Sequence, residues 1–387
     1  MLVFKEISPN PYNISKPSSG NMFFGRQDVI KYVMNHISRT RQKHILVIYG
    51  ERKIGKTSIL YYLRDYLPFQ NYIPVYISMQ AITDEGTDVF FYSLSEYIVD
   101  SLKKANFIME KPRLEDFQKT PAIYFNKEIL ESIEKGIGDR KLVLLFDEFE
   151  RLYKLAEDGK IDKKSLYFLG NVIQKSNKTD FIFAGDQQLL EIMEQYWSAL
   201  FNITVHKKVD TLSKGDTYDL IVKPVAEYNL KYQEKAKEYI FQITGGHPYF
   251  VQLVCSKLVD YYNKTRKSYI EIDDIDKVLD KVFEGGYYHF WFMWKQLEKN
   301  EKIVLAALAE LENSSKIPTN DALLAVIKKY LPLYTLKRLS DTLDRLSWCE
   351  IIVKDKVKDL YRFKVRIIRM WIIQHQKLRE ITEEVKQ

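Results

Sequence analysis

Eight residues, Gly50 to Thr57, restrict the fold of this chain more than any other segment. Their sequence, Gly-Glu-Arg-Lys-Ile-Gly-Lys-Thr, directly follows the apolar run Ile45–Tyr49 and directly precedes a stretch of helical periodicity from Ser58 to Tyr66. Glycines let a backbone curl with its N–H groups pointing inward, and the start of a helix adds partial positive charge. A strand, a Gly-x4-Gly-Lys-[Ser/Thr] loop and a helix in this order predict a site that binds phosphate groups.

The loop also predicts which ligands it takes. Lys56 is expected to reach the β- and γ-phosphates of a nucleotide, and the Thr57 hydroxyl is expected to bind Mg²⁺. We therefore expect ATP and Mg²⁺ as ligands of this chain. The residues expected to line the nucleotide here are Gly50, Glu51, Arg52, Lys53, Ile54, Gly55, Lys56, Thr57 and Ser58.

An acidic strand end is expected to complete the site. The apolar run Lys141–Asp147 ends in a carboxylate and is followed by Glu148. Charges at the edge of a core are costly and need a reason. Asp147 is expected to hold Mg²⁺ through its water shell, and Glu148 to orient or deprotonate the attacking water, so Glu148 and Lys56 are the predicted catalytic residues. Glu148 is favoured over Glu150, which could instead be a charge at a helix start.

Another strand-like run, Phe181–Ala184, also ends at polar residues. Asp186 is a candidate sensor of the γ-phosphate, and it could equally be the N-cap of a helix over residues 187–196. An acid is an unusual sensor because it repels phosphate.

The order of elements predicts an α/β fold. Apolar runs at Tyr72–Met79 and Ile203–Val209 bring the expected strands to five, and helical segments alternate with them. This alternation is typical of a parallel sheet with helices on both faces. After Ser213 the pattern becomes helical, and from about residue 296 three short helices precede a β-hairpin, which is the outline of a winged helix. The predicted divisions are residues 1–20 (extended lead-in), 21–212 (α/β domain), 213–295 (helical lid) and 296–387 (winged helix).

Composition narrows the class of protein. Hydrophobic residues make up 46% and charged residues 29%, which fits a folded globular chain. The apolar runs are strand-length, far below the roughly 20 residues of a bilayer-spanning helix, so no membrane partner is expected. We see no leader sequence, and the two distant cysteines indicate neither a disulfide framework nor a zinc site. A cytoplasmic protein is the resulting expectation.

In the order of its motifs the chain resembles the STAND-type ATPases of the AAA+ superclass, especially the archaeal and bacterial AAA-like ATPase families. Gly50–Ser58 matches their Walker A loop, Asp147–Glu150 matches their Walker B segment, and Thr244–Tyr249 resembles the signature of their lid. The resemblance implies a P-loop NTPase fold with an additional strand in the sheet, followed by a helical lid and a winged helix.

The resemblance also implies two further nucleotide contacts. Phe23–Gln27 is similar to the segment that lines the adenine pocket, which implies contacts from Gly25 and Arg26, although Gln27 stands where an acid is usual. The lid proline, here Pro248, packs near the nucleotide in that family. A proline at the first position of a helix explains the same residue without any ligand.

The sequence of the C-terminal quarter does not decide between a nucleic-acid partner and a protein partner. From Lys295 onward there are 19 Lys and Arg against 13 Asp and Glu, and much of the excess surrounds the expected hairpin. Lys354, Lys356, Lys358 and Arg362 are candidate contacts to the phosphates of duplex DNA, while a protein or intradomain contact suits them equally. Acids on the expected recognition helix, Thr335 to Trp348, argue against groove reading. The aromatic run Tyr287–Trp294 is expected to be buried between lid and winged helix rather than to stack on bases.

Three functions follow. The first is a molecular switch in which ATP, slowly hydrolysed to ADP, repositions lid and winged helix to regulate a protein effector or self-association. The second is a DNA-binding ATPase of the origin-recognition or transposition-helper type. The third is an ATP-binding scaffold without turnover.

Overall fold

Five strands form one parallel sheet in the first half of the computed structural model, which describes residues 4–38, 45–82, 86–197, 204–355 and 360–386. The strand order is β2-β3-β4-β1-β5, and every pairing is parallel. Strand β4 therefore lies between β1 and β3 as the additional strand, and the predicted α/β fold is confirmed. The strands are β1 (Ile45–Tyr49), β2 (Tyr72–Ser78), β3 (Lys141–Asp147), β4 (Thr179–Gly185) and β5 (Val205–Lys208).

Helices cover both faces of this sheet. Successive strand residues enter opposite cores: Leu46 and Ile48 pack with the first two helices, whereas Ile45 and Val47 pack with the later ones. Burial on both faces explains why these strands are continuous apolar runs rather than alternating ones. The helices are α1 (Gln27–Ile37), α2 (Lys56–Tyr66), α3 (Thr87–Leu102), α4 (Pro121–Tyr124), α5 (Glu131–Gly136), α6 (Glu150–Glu157), α7 (Lys163–Lys175) and α8 (Gln188–Tyr196).

The chain divides into two units. Pro17–Asp210 form the sheet unit, and Met1–Lys16 together with Thr211–Gln387 form the helical unit. The helical unit begins with α9 (Lys214–Val222), α10 (Glu234–Thr244), α11 (Pro248–Thr265), α12 (Ile272–Gly285) and α13 (Tyr287–Gln296), with a short parallel pair of β6 (Lys231–Tyr232) and β7 (Tyr269–Ile270).

The remainder of the helical unit follows the predicted order of three helices and a hairpin. Helices α14 (Lys299–Asn313), α15 (Asn320–Lys328) and α16 (Leu336–Trp348) precede the antiparallel strands β8 (Ile352–Asp355) and β9 (Leu360–Phe363), and α17 (Arg366–His375) and α18 (Leu378–Lys386) end it. Within the part of the chain that the structure describes, no helix is both long enough and apolar enough to span a bilayer.

Aromatic side chains join α13 to α17. Phe290 is fully buried and stacks on Trp371 at 5.4 Å between ring centroids, and Trp294 meets the same ring edge-on. The expectation that the whole run Tyr287–Trp294 is buried is wrong, because a helix turns only one face to its neighbour. Tyr288 is 83% exposed, and other outward-facing members of the run are Tyr287, Trp291 and Phe292.

The N-terminal residues are extended, as expected, yet they belong to the helical unit rather than standing apart. The backbone of Ile7 exchanges two hydrogen bonds with the Asn263 side chain, each 3.0 Å. The Tyr12 hydroxyl donates to the carbonyl of Ile221 at 2.6 Å, and Ile7 and Tyr12 are both buried. Nothing in the local sequence indicated this docking.

Candidate functional site

The Gly50–Thr57 loop joins β1 to α2 and turns through residues with positive φ. Gly50 has φ 159°, and a Cβ there would overlap with the carbonyl oxygen of Val209. Gly55 has φ 105° and directly precedes α2, while Lys53 is left-handed at φ 60°. This backbone requires glycine at both ends and leaves the N–H groups at the start of α2 without helical carbonyl partners. The cradle fits a phosphate group.

Lys56 lies inside this loop. Its ammonium group donates to the carbonyl oxygens of Gly50 and Glu51, both at 2.8 Å. Burial lowers the pKa of Lys56, and four carboxylates face it and oppose that shift. These acids are Glu150, Asp186, Asp147 and Glu148. The lysine therefore sits where it can exchange two carbonyl partners for phosphate oxygens.

Arg26 supports the loop from its outer side. It is left-handed at φ 72°, directly after Gly25 at φ 66°, and it immediately precedes α1. Its buried guanidinium donates to the carbonyl oxygens of Ile54, at 2.7 Å, and Asp210. Arg26 thus ties the Walker A-like loop to the end of the sheet unit, a role that the sequence did not reveal. The adenine contact implied for Gly25 and Arg26 stays a prediction.

A hydroxyl and a carboxylate meet at the start of α2. Thr57 Oγ1 donates to Asp147 Oδ2 at 2.7 Å, and the Tyr76 hydroxyl donates to the same oxygen at 2.9 Å. Asp147 is buried, and Tyr76, its partner from β2, has a pKa raised by burial and by this carboxylate. The structure therefore brings together the two predicted metal ligands.

This donor set fits Mg²⁺. A hydroxyl and a carboxylate are oxygen ligands of the kind that Mg²⁺ takes alongside waters and phosphate oxygens. Among the described residues there is no group of three or more His, Cys, Asp or Glu side chains that could hold a metal alone. Thr57 and Asp147 would hold a magnesium ion together with waters and phosphate oxygens, and the ion would neutralise charge on that phosphate.

Glu148 occupies a strained position just beyond β3. It is left-handed at φ 54°, and its backbone N–H donates to Asp147 Oδ1 at 3.1 Å. Non-glycine residues rarely adopt this conformation, and functional sites are enriched in such strain. Burial, and then Asp147, raise the pKa of Glu148, while Arg52 and Lys56 lower it. These features suit the predicted role in orienting water.

Glu150 and Asp186 form a second acidic pair at the end of β4. Burial, followed by the charge of Asp186, raises the pKa of Glu150 to about 7. Glu150 Oε2 is buried and accepts no hydrogen bond, and it occupies the space that a side chain on Gly185 would fill. Asp186 Oδ1 accepts a hydrogen bond from the backbone N–H of Gln188 at 3.0 Å, and Gln188 is the first residue of α8. Asp186 thus caps the helix start while also facing Lys56.

Other predicted contacts lie in the helical unit. Pro248 is the first residue of α11, and His247 separates it from Gly245 and Gly246, which have φ 58° and 70°. This is the helix-start geometry that explains the proline without a ligand, and its nucleotide contact stays a prediction. Lys354 and Arg362 lie on β8 and β9, whereas Lys356 and Lys358 lie outside the described residues.

Sequence reasoning missed the contact of Tyr76 with Asp147 and the burial of the Glu150 Oε2 atom. Tyr76 reaches Asp147 because β2 and β3 are neighbours, a pairing that the chain order alone does not fix. The sequence favours Glu148 over Glu150 as the base and leaves a helix-start charge as the alternative role of Glu150, and Glu150 does begin α6. The signal that could have identified it is Gly185, the glycine that directly precedes Asp186.

Comparisons with known proteins identify the family of this chain. A model of the ATPase domain predominantly from Archaea matches residues 23–254, which is more than half of the chain. The probable DNA polymerase III subunit delta of Aquifex aeolicus is 26% identical over 207 residues, 53% of this chain and 57% of that protein. The chain thus spans little more than half the length of this relative.

Two solved structures share the fold over nearly the full chain. The ORC2 protein of Aeropyrum pernix, solved in ADPNP–ADP complexes, has a TM-score of 0.68 and 12% identity, covering 99% of this chain and 98% of that one. A Walker-type ATPase of Pyrococcus abyssi has a TM-score of 0.64 and 12% identity, covering 94% and 99%. At this identity the likeness extends to the fold alone. Because the family model covers most of the chain, including the glycine loop and both acidic strand ends, the chain belongs to the family of ATPase domains found predominantly in Archaea.

Proposed function

We propose that this protein binds ATP with Mg²⁺, hydrolyses it slowly, and uses its nucleotide state to reposition the helical unit and so regulate a protein partner. The observation that carries the proposal is the convergence of Lys56, the Thr57–Asp147 pair and Glu148 at one edge of the sheet. These groups supply a cation for phosphate, oxygen ligands for Mg²⁺ and an acid to orient water.

We propose slow turnover because no arginine of this chain is predicted to contact the terminal phosphate of the nucleotide. Transition-state charge on a transferred phosphoryl group is commonly stabilised by an added arginine worth about 10³–10⁵ in rate. Without one assigned, the loop lysine and Mg²⁺ carry that stabilisation. This balance suits a timed switch better than a motor.

The contacts inside the helical unit support its movement as one body. The α13–α17 aromatic seam, defined by Phe290, Trp294 and Trp371, joins the lid helices to the C-terminal region. The Gln374 amide donates to Asp280 at 3.0 Å, and a Cβ on Gly245 would lie 2.7 Å from the carbonyl oxygen of Lys364. We propose that residues 296–387 are a winged helix carried rigidly by the lid, which is the STAND-like arrangement.

The outward face of α16 favours a protein partner over base reading. Arg345 is committed to Glu298 and Glu301, at 2.7 and 2.8 Å, and the Arg338 guanidinium lies over the Tyr334 ring. The exposed charges that remain on this helix include Asp341 and Asp344, which would repel phosphates. Lys337 and Arg338 are exposed on the same helix, so the surface that would enter a groove carries mixed rather than uniformly positive charge.

Hydrolysis tests the proposal directly. Phosphate release should fall to background in Lys56→Ala and in Glu148→Gln, while Lys31→Ala, the same change at an exposed lysine of α1, should keep most of the wild-type rate. If wild-type turnover equals that of Lys56→Ala, the enzyme claim fails; nucleotide binding measured on the same samples then decides whether a scaffold remains.

Movement is tested by small-angle scattering of the full chain with ADP and with ADPNP. A difference in radius of gyration between the two states, absent in Lys56→Ala, supports the switch. Identical scattering in both states, with binding demonstrated, contradicts it.

A DNA-binding ATPase is the second candidate. Two observations favour it. The chain is similar to an ORC2 protein and to a DNA polymerase III subunit, and Arg362 is exposed on β9. The double variant Lys354→Glu, Arg362→Glu should abolish a low-salt mobility shift of duplex DNA, whereas Lys235→Glu, an exposed charge on α10, should not. No shift with wild-type protein at low salt removes this candidate.

A further inference from the structure

The end of β4 lacks a side chain where a nucleotide's terminal phosphate would be sensed. In the proposed site β4 lies between the strand that leads into the glycine loop and the strand that ends in Asp147. Its last residue is Gly185, and the space of the missing side chain is occupied by Glu150 Oε2, which reaches across from α6. A side chain from the segment after β3 thus replaces one that β4 does not provide.

The Glu150 carboxyl group has one oxygen without a hydrogen-bond partner among the described residues. Its Oε2 atom is buried and accepts no hydrogen bond. An ionised oxygen in that state would be costly, because a buried charge needs a partner. A protonated oxygen would instead offer one hydrogen bond to an acceptor that arrives with a ligand.

The charged groups around Glu150 act on its carboxyl group in opposite directions. Asp186, in the turn after β4, accepts the Gln188 N–H at 3.0 Å. Glu148, from the turn after β3, adds further negative charge beside Glu150, and Lys56 from α2 is the cation that faces it. Burial and Asp186 together outweigh Lys56 and the residue's own N–H, so the pKa of Glu150 is raised to about 7.

We propose that Glu150 keeps its proton in the ATP-bound protein and donates a hydrogen bond from the end of β4 to the terminal phosphate. This rests on the proposed function, since it deepens the chemistry of the same site. A neutral carboxyl group removes the repulsion that makes an acid an unusual sensor, and it distinguishes ATP from ADP because only ATP supplies the acceptor there. Asp186, which raises the pKa of Glu150, is then the neighbour of the sensor rather than the phosphate contact itself.

The test compares the affinities for MgADPNP and MgADP in wild type, Glu150→Gln and Glu150→Ala. Glutamine retains a neutral donor, so Glu150→Gln should prefer MgADPNP over MgADP as wild type does at pH 6. Alanine lacks the donor, and its preference should fall about tenfold, the worth of one hydrogen bond to a charged group. Glu157→Gln, the same change at an exposed position of α6, should leave the preference unchanged.

A pH series separates this role from simple packing. The wild-type preference for MgADPNP should weaken between pH 6 and pH 8.5 relative to Glu150→Gln, because only the carboxyl group loses its proton; titration of the nucleotide is common to both proteins. The inference is overturned if Glu150→Ala keeps the wild-type preference, or if wild type and Glu150→Gln follow the same pH curve.

Failure of the inference is distinguishable from failure of the proposed function. If MgADP binds to wild type and not to Lys56→Ala, the nucleotide site stands whatever Glu150 does. If Glu150→Ala unfolds, the comparison of Glu150→Gln with wild type across pH still decides the question.

Discussion

Replacing Glu150 with glutamine should change how the stability of the sheet unit depends on pH. The Oε2 atom of Glu150 is buried against Gly185, and the pKa of this carboxyl group is raised from the ordinary 4.5 to about 7. Below pH 4.5 the carboxyl group is protonated in both the folded and the unfolded chain, so it has no pH-dependent effect. Between pH 4.5 and 7 the unfolded chain releases the proton while the folded chain retains it, so stability falls as pH rises. Above pH 7 the loss is complete.

The size of the loss follows from the shift. Each pKa unit is worth about 1.4 kcal/mol, so the wild-type sheet unit should lose up to about 3 kcal/mol between pH 4.5 and pH 8 through this one group. Glu150 and Asp186 interact electrostatically, so part of the pKa shift belongs to the pair, and about 3 kcal/mol is an upper value for the loss through Glu150. Glu150→Gln cannot titrate, so its free energy of unfolding relative to wild type should rise by about 2–3 kcal/mol from pH 5 to pH 8. Any constant cost of burying the amide cancels in that difference.

Urea unfolding of the full, nucleotide-free chain, followed by hydrogen exchange of peptides from β3 and β4, reports the sheet unit separately from the helical unit. Glu157→Gln serves as the matched control and should show no added pH dependence. A constant difference between wild type and Glu150→Gln across pH 5–8 would refute the reasoning, because it would mean that the folded chain does not hold the proton.

Two further changes test the supports of the fold. Arg26→Lys keeps the charge but loses the forked contact with the carbonyl oxygens of Ile54 and Asp210, so nucleotide affinity measured by calorimetry should fall about tenfold, and unchanged affinity would contradict this role. Phe290→Ala should destabilise the helical unit by about 3–5 kcal/mol in urea unfolding because it empties the seam against Trp371, whereas Tyr288→Ala, at an 83% exposed site, should cost under about 0.5 kcal/mol. Similar losses in the two variants would count against the seam.

The sheet could be predicted closely because its strands are buried on both faces. Such strands are unbroken apolar runs, and the predicted limits of β1 and β3 coincide with the observed ones. The segment of α13 lies in the region predicted to be helical, but the burial of its aromatic residues was misjudged, because eight consecutive residues on a helix must face in all directions. Phe290 and Trp294, one turn apart, face the seam, and their neighbours do not.

Contacts between distant segments could not be predicted in this way. The docking of Ile7 on Asn263 joins positions 256 residues apart, and neither carries a motif. The same limit applied to Glu150, whose environment depends on β3 and β4 being neighbours in the sheet. The sequence pattern identified the acidic residues of the candidate site. The strand order is needed to tell which of them lie next to each other.

Those roles connect binding to the proposed switch. In the proposed function ADP and ATP both occupy the glycine loop, so Lys56, Thr57 and Asp147 cannot by themselves report which one is bound. In the proposed arrangement the distinguishing contact lies at the end of β4, where an unsatisfied buried oxygen on Glu150 gains a partner only from a terminal phosphate. Because α6 begins at Glu150, gain or loss of that partner acts directly on the start of a helix rather than on a loop side chain. A switch needs a ligand whose contacts differ between two states, and in this chain the structural element that senses the difference should be α6.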